Sequence, residues 1–414
     1  MTVWTPDWAV SVNGAGDVTN VTLANLTITS GRNDIYSQPY AGYCNIELIN
    51  LSESAINIDV NDAVIIKVKD STGTYVNLFG GDVTDIDVEV SSSGTNGINE
   101  RIKIVALGAL SKLPKILTDG VLSKDFDGNQ IYDILSALLF GQWNAVPAAL
   151  TWAAYDPTTT WANAENTGLG EIDQPGDYEL AARSSSATDV YSLVAGLATS
   201  GIGYLYEDAS GRIGYADSTH RSQYLAANGY VEVTGNHALA AGIRTSKRIG
   251  DLRNKVTVQT YNGTQQTASD ATSIATYGEQ AQIIETTLHN SADATTQAAF
   301  YLDLRAFPQD QFRAITFSLA NPEIDDTDRD DLLNVFMGQP LDITDLPSNM
   351  VDGRFQGFVE GWTFTAGFNR LDLTLILSPV AFSLQAMKWI DVPITEAWNT
   401  LNPTLDWLNA TIVA

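Results

Sequence analysis

Along residues 8–107 apolar and polar side chains alternate in short runs, each bounded by turn residues. WAVSVNG and VTNVTLANLTITSGR flank a turn at Gly14–Asp17. NIELINL (45–51), DAVIIKV (62–68), FGGDVTDIDVEV (79–90) and ERIKIVAL (100–107) follow. A period of two puts every second side chain on one face, so these runs predict half-buried β-strands. SSSGTNG (91–97) has no apolar residue and predicts a hairpin tip. The alternation returns at 312–382, in AITFSLAN (314–321), QPLDITDL (339–346), FQGFVEGWTF (355–364) and RLDLTLIL (370–377).

The two alternating blocks share a phrase. Phe79, Gly81, Val83, Ile86 and Val88 stand at the same spacing as Phe355, Gly357, Val359, Trp362 and Phe364. Four runs match in the same order, which predicts a duplicated unit, with 43–107 and 312–379 folding as superposable β-barrels. Gly81 and Gly357 are expected where the backbone bends or approaches another chain closely.

Between the blocks the period changes. Ile131, Ile134, Leu135, Leu138 and Leu139 have helical spacing behind caps at Asp127–Asn129, and Val190, Leu193, Val194 and Leu197 mark a helix at 188–199. That second helix is capped by Thr188 or Ser186 and stopped by Gly201, and a hairpin with its turn at Ala209–Gly211 follows. Residues 141–182 show little periodicity and read as irregular. Strands resume at 254–262 and 282–289, and a helix at 291–306 ends before Pro308. The chain is therefore mainly β with an α/β insertion. The expected division is a first β-barrel domain at 1–115, an inserted α/β domain at 116–240, a second β-barrel domain at 241–383 and a Trp-rich tail at 384–414.

Composition changes this picture at few points. A formal charge of −27 disfavours binding of phosphates or anionic lipid. It fits either a solubilising surface or a deliberately negative one. The single cysteine, Cys44, allows no internal disulfide and reads as a small core residue. The first residues carry no basic and apolar leader, and no apolar run is long enough to span a bilayer, so synthesis in a cytoplasm is expected.

Catalytic chemistry finds no foothold in the sequence. His220, His237 and His289 lie far apart and read as surface or loop residues; no nucleophile elbow, P-loop or complete dinucleotide fingerprint occurs. DDTDRDDLLN (325–334) and KDFDGNQIYD (124–133) resemble calcium loops, but Asp331 replaces the turn glycine and Met337 the bidentate glutamate in the first. Acids at helix starts are the plainer account. No cofactor, metal or enzymatic activity is expected. Trp389, Trp398 and Trp407 recur at a spacing of nine and are candidates for a protein contact, with core anchoring as the plain alternative.

Three stretches together carry a family resemblance. VTLANLTITSGRNDIYSQPYAGYCNIELINL with VNLFGGDVTDIDVEV and RIKIVALGALSKL is similar to the N-terminal domain of tailed-phage hub or minor tail proteins. DVYSLVAGLATSGIGYLYEDASGRIGYADSTHR resembles their small α/β element, and GRFQGFVEGWTFTAGFNRLDLTLILSP their second barrel. The resemblance implies a structural hub of the virion tail tip. It implies a homotrimer whose two barrels per chain form a pseudo-sixfold ring that lets DNA pass without specific binding. It further implies contacts with a tail tube or distal tail protein, a tape measure protein and downstream tip or fibre proteins. A secreted β-rich carbohydrate- or receptor-binding protein is the alternative.

Overall fold

The computed structural model describes residues 4–13, 18, 21–50, 57–92, 98–142, 169–238, 243–308, 311–347, 353–367 and 369–379. Trp389, Trp398 and Trp407 lie outside these residues, as do 143–168 of the stretch expected to be irregular.

One sheet of twelve strands runs through a mainly β molecule. Six strands stand in the spatial order Trp8–Val12, Ala63–Lys69, Tyr75–Ser92, Ile98–Leu107, Tyr43–Asn50, Val21–Gly31. The other six stand in the order Val231–Thr234, Pro340–Thr344, Phe355–Gly367, Arg370–Pro379, Gln311–Ser318, Arg244–Ser246. Matched strands thus hold matched places. One difference is the first pairing, antiparallel for Trp8–Val12 on Ala63–Lys69 but parallel for Val231–Thr234 on Pro340–Thr344.

The long hairpins carry the same irregularity. The register shifts between Val83 and Asp85 in one group and between Val359 and Gly361 in the other. Gly81 and Gly357 also share their surroundings. A Cβ on Gly81 would strike the Leu107 carbonyl and, at 2.8 Å, the Phe79 ring; one on Gly357 would strike the Ser378 carbonyl and, at 2.6 Å, the Phe355 ring. In each group the phenylalanine lies over the glycine two residues on, which only a missing side chain permits.

The ladders also move one match by a residue. Val88 pairs with Ile102 and Phe364 with Leu373, so Leu373, and not Asp372, corresponds to Ile102. Aligning RLDLTLIL directly on ERIKIVAL slips the register by one and turns every side chain to the wrong face.

The barrels expected of each group are not closed. Pro340–Thr344 is short and meets the long strand only along Phe355–Phe358, which leaves the rest of the long strand open on that side. Val21–Gly31 fills this edge antiparallel, with Leu26 opposite Ala366 and Gly31 opposite Gly361, and so joins the groups into one sheet. Their inward residues form one core, in which Ile28, Cys44, Ile46, Ile66 and Ile104 pack in the same cluster as Phe317, Ile343, Val359 and Phe364. Burying side chains of this size contributes about 1.5–3 kcal/mol each.

A second core lies under the helices. Asp127–Gln142 and Val190–Ser200 pack with the hairpin Tyr204–Glu207 and Ile213–Ala216 through Ile131, Leu135, Val194, Leu205 and Tyr215. Val190–Ser200 is capped by Asp189, whose side chain accepts from Ser192 N at 2.8 Å, in place of the expected Thr188 or Ser186. Val256, Val258 and Leu288, with Ala294 and Ala298 of the helix Ser291–Arg305, join this same core. We therefore propose that Lys255–Arg305 belongs with the inserted region, while Val231–Thr234 and Arg244–Ser246, which lie before it in the chain, belong to the second strand group.

Candidate functional site at the junction of the strand groups

The two strand groups and the inserted region meet where Val21–Gly31 ends. Gly31 has φ +85, and a Cβ there would strike the Glu360 carbonyl; Arg32 N donates to that carbonyl at 2.8 Å. The left-handed turn at Gly31 thus delivers the Arg32 side chain onto the opposite strand.

Glu360 is 1 % exposed. Arg32 Nε donates to its Oε2 at 2.7 Å, while Arg221 donates from Nη1 to Oε1 at 2.6 Å and from Nη2 to Oε2 at 3.0 Å. Ser378 Oγ adds a fourth bond, to Oε1, at 2.5 Å. The three charged groups come from three places: the end of one strand group, the helix His220–Asn228 and the long strand of the other group. The Tyr204 ring lies beside both cations, 5.2 Å from Arg32 Cζ and 4.5 Å from Arg221 Cζ. Burial by itself would raise the Glu360 pKa. The charges of Arg221 and Arg32 outweigh it and hold the carboxyl at about 2.

A second buried carboxylate clamps the inserted region to the first strand group. Glu207 accepts from Gly42 N, and at 3.0 Å from Leu110 N. Burial raises its pKa to about 7 against the pull of those two amides. A Cβ on Gly42 or on Gly108 would strike its carboxyl oxygens, so both glycines make room for it. The turn of the same hairpin presses on Gly80, where a Cβ would lie 2.5 Å from the Ser210 carbonyl carbon, and Asn77 Nδ2 donates to Ser210 Oγ at 3.2 Å.

Inside the inserted region lies an acid network. Asp127 accepts from Tyr178 N at 2.9 Å and from the Tyr215 hydroxyl. Asp173 Oδ2 accepts from Asp217 N at 2.9 Å and shares a 2.8 Å hydrogen bond with His220 Nδ1. His220, read from sequence as a surface or loop residue, is 2 % exposed. Burial raises the Asp127 pKa to about 6 and pushes Asp217 upward, Asp173 adding to the latter. For His220, burial acts downward and the Asp173 carboxylate overrides it.

Beside the junction opens a cleft of about 190 Å³ lined by Arg32, Tyr36, Tyr204, Arg221, Tyr301 and Arg305, among others. Arg305 Cζ lies 3.7 Å from the centre of the Tyr36 ring, and its Nη1 donates to Gln282 Oε1 at 2.6 Å.

The calcium-like stretches have local roles. Asp325 caps the helix Asp326–Leu333 by accepting from Asp328 N at 2.8 Å, and Asp326 pairs with Arg329 at 2.6 Å. Asp330 accepts from Ser71 N at 2.9 Å and from Ser71 Oγ at 2.5 Å, joining a loop of the first group to that helix. Asp125 accepts from Asn129 Nδ2 at 3.0 Å. Among the described residues no group of three His, Cys, Asp or Glu is placed to hold a metal ion.

Of the residues singled out in the sequence, Phe79, Gly81 and Val83 lie in one group and Phe355, Gly357 and Val359 in the other, each set built into its own long strand. The junction itself carries no sequence signal. Arg32, Arg221 and Glu360 belong to no shared motif, and a charged residue at position 360 of an alternating strand reads as solvent-facing.

The sequence matches no protein-family model and no curated protein. Solved structures do match. The 43 kDa tail protein of prophage MuSo2 from Shewanella oneidensis is 12% identical with a TM-score of 0.56, over 91% of this chain and 99% of its own. The tail protein from Neisseria meningitidis MC58 is 11% identical with a TM-score of 0.58, over 91% and 98%. The chain shares the fold of these tail proteins. At such identity the shared feature is the architecture, because the packing of alternating strands is kept while the side chains change.

Proposed function

We propose that this chain is a structural hub protein of a phage tail tip. Three copies close into a pseudo-sixfold ring that continues or closes the tail tube, and the ring lets DNA pass. The observation that supports this most directly is the pair of six-strand groups with one strand order. Two like units per chain give a trimer six like units, which can meet a sixfold tube. The fold shared with two tail proteins points the same way. The role is mechanical and not enzymatic: the buried charges of the junction hold strand groups at a fixed angle.

In this reading the −27 charge has a use, since a lumen rich in Asp and Glu does not hold phosphates as the duplex slides through. Trp389, Trp398 and Trp407 are candidates for contact with the neighbouring tail protein. The deciding experiment is the mass of the protein in solution together with low-resolution images. A closed three-copy ring is expected; a protein that stays monomeric, even mixed with its tail neighbours, would exclude this function. Tight, salt-sensitive DNA binding by the ring would exclude an acidic lumen.

A further inference from the structure

The contact that joins the two strand groups inside one chain has an unfilled counterpart. Val21–Gly31 covers the long strand of the second group along Gly361–Ala366. The corresponding part of the first group's long strand is Asp85–Val90. Its pairing with Ala63–Lys69 stops at Asp82, and among the described residues no strand lies along that side beyond Val83. Asp85, Asp87 and Glu89 are exposed there, and Val88 and Val90 are more than half exposed. At the far end of the sheet, Arg244–Ser246 is the last strand and holds the place in its group that Val21–Gly31 holds in the other. Arg244, Lys247 and Arg248 are exposed around it.

We propose that Arg244–Ser246 of one copy pairs antiparallel with Asp85–Val90 of the next, repeating between chains the contact made within each chain. This rests on the ring reading above and assigns its interface. The ladders fix the register. Thr27 lies opposite Asn45 on one side and Thr365 on the other. Arg244 lies opposite Ala314, which corresponds to Asn45, because Ile46 and Ile315 meet the matched residues Ile104 and Leu375. Glu89 corresponds to Thr365, one residue past Val88 and Phe364. Arg244 therefore falls opposite Glu89. The shift beside Arg244 has its extra residue, Arg313, on Gln311–Ser318, so the outer edge runs on residue for residue: Ser246 falls opposite Asp87 and Arg248 opposite Asp85.

The charges agree with that register, although charge played no part in deriving it. A basic edge meets an acidic one, and opposite charges across a strand pair favour the match while like charges oppose it. Two acidic edges repel, so the contact is heterologous and runs head to tail. An exposed edge alternating apolar and acidic residues is also guarded against indiscriminate strand addition, since only a basic strand suits it.

Directly opposed residues of an antiparallel pair are close enough for a disulfide. Arg244→Cys chains mixed with Glu89→Cys chains should give an oxidised dimer of one of each, absent from either variant alone; the native Cys44 is fully buried and stays silent. Glu89→Lys should weaken association about tenfold or more, and adding Arg244→Glu to the same chain should restore it. Dimers forming as readily within one variant would overturn the proposal. So would their absence while the unaltered chain still forms its ring, an outcome that moves the interface but leaves the ring reading standing. If the unaltered chain does not associate even mixed with its tail neighbours, both fall.

Discussion

Glu360 and Arg32 are 328 positions apart in sequence and 2.7 Å apart in space, both buried, with Arg221 closing the same carboxylate from the other side. The desolvation of three charges roughly offsets their attraction, so the cluster adds little net stability over an apolar core. It does make one arrangement of three chain segments far better than its neighbours, since any other leaves a buried charge alone.

Glu360→Ala should therefore destabilise strongly, by about 3–5 kcal/mol, because it strands two buried guanidinium groups. Chemical denaturation would measure it. Replacing Arg32, Arg221 and Glu360 together by apolar residues of similar volume should cost much less than that single change.

Gly81→Ala and Gly357→Ala should each destabilise by about 1–3 kcal/mol, since each Cβ meets a carbonyl and the phenylalanine two residues before it. Thermal unfolding of the two variants should show similar losses. Gly367→Ala, where a Cβ meets nothing, serves as the control.

Stability should fall as pH rises from about 4 to about 8. Burial lifts Glu207 to about 7 and Asp127 to about 6, and raises Asp217. In that window the folded chain keeps protons that the unfolded chain has released, so each rise in pH favours unfolding. His220 acts in the same direction: its folded pKa is raised, so the stability it contributes below its unfolded value is lost as pH climbs. Glu360, held at about 2, contributes above its unfolded value and is lost only in strong acid. A melting-temperature profile should thus peak near mildly acidic pH, about 4–5, and Glu207→Gln should flatten the slope above it.

Asp330→Ala should cost about 1–2 kcal/mol by removing the acceptor of Ser71 N and Oγ. Hydrogen exchange should show faster opening at Ser71 and Thr72 before any other part of the first group responds.

Alternation alone determined most of the strands, because a half-buried strand needs period two whatever it packs against. The Phe-x-Gly-x-Val spacing likewise marked the two long strands, since a glycine under an aromatic ring is a local requirement carried by adjacent residues. Helix stripes at Ile131–Leu138 and Val190–Leu197 were equally local. Tertiary structure decided what alternation cannot encode. Which strand fills an open edge depends on where its neighbour stops, so Val21–Gly31 joined the second group and the expected barrels stayed open. The one-residue register of Arg370–Pro379 depends on partner ladders, and the charges of Arg32, Arg221 and Glu360 become a site only after three distant segments exclude water around them.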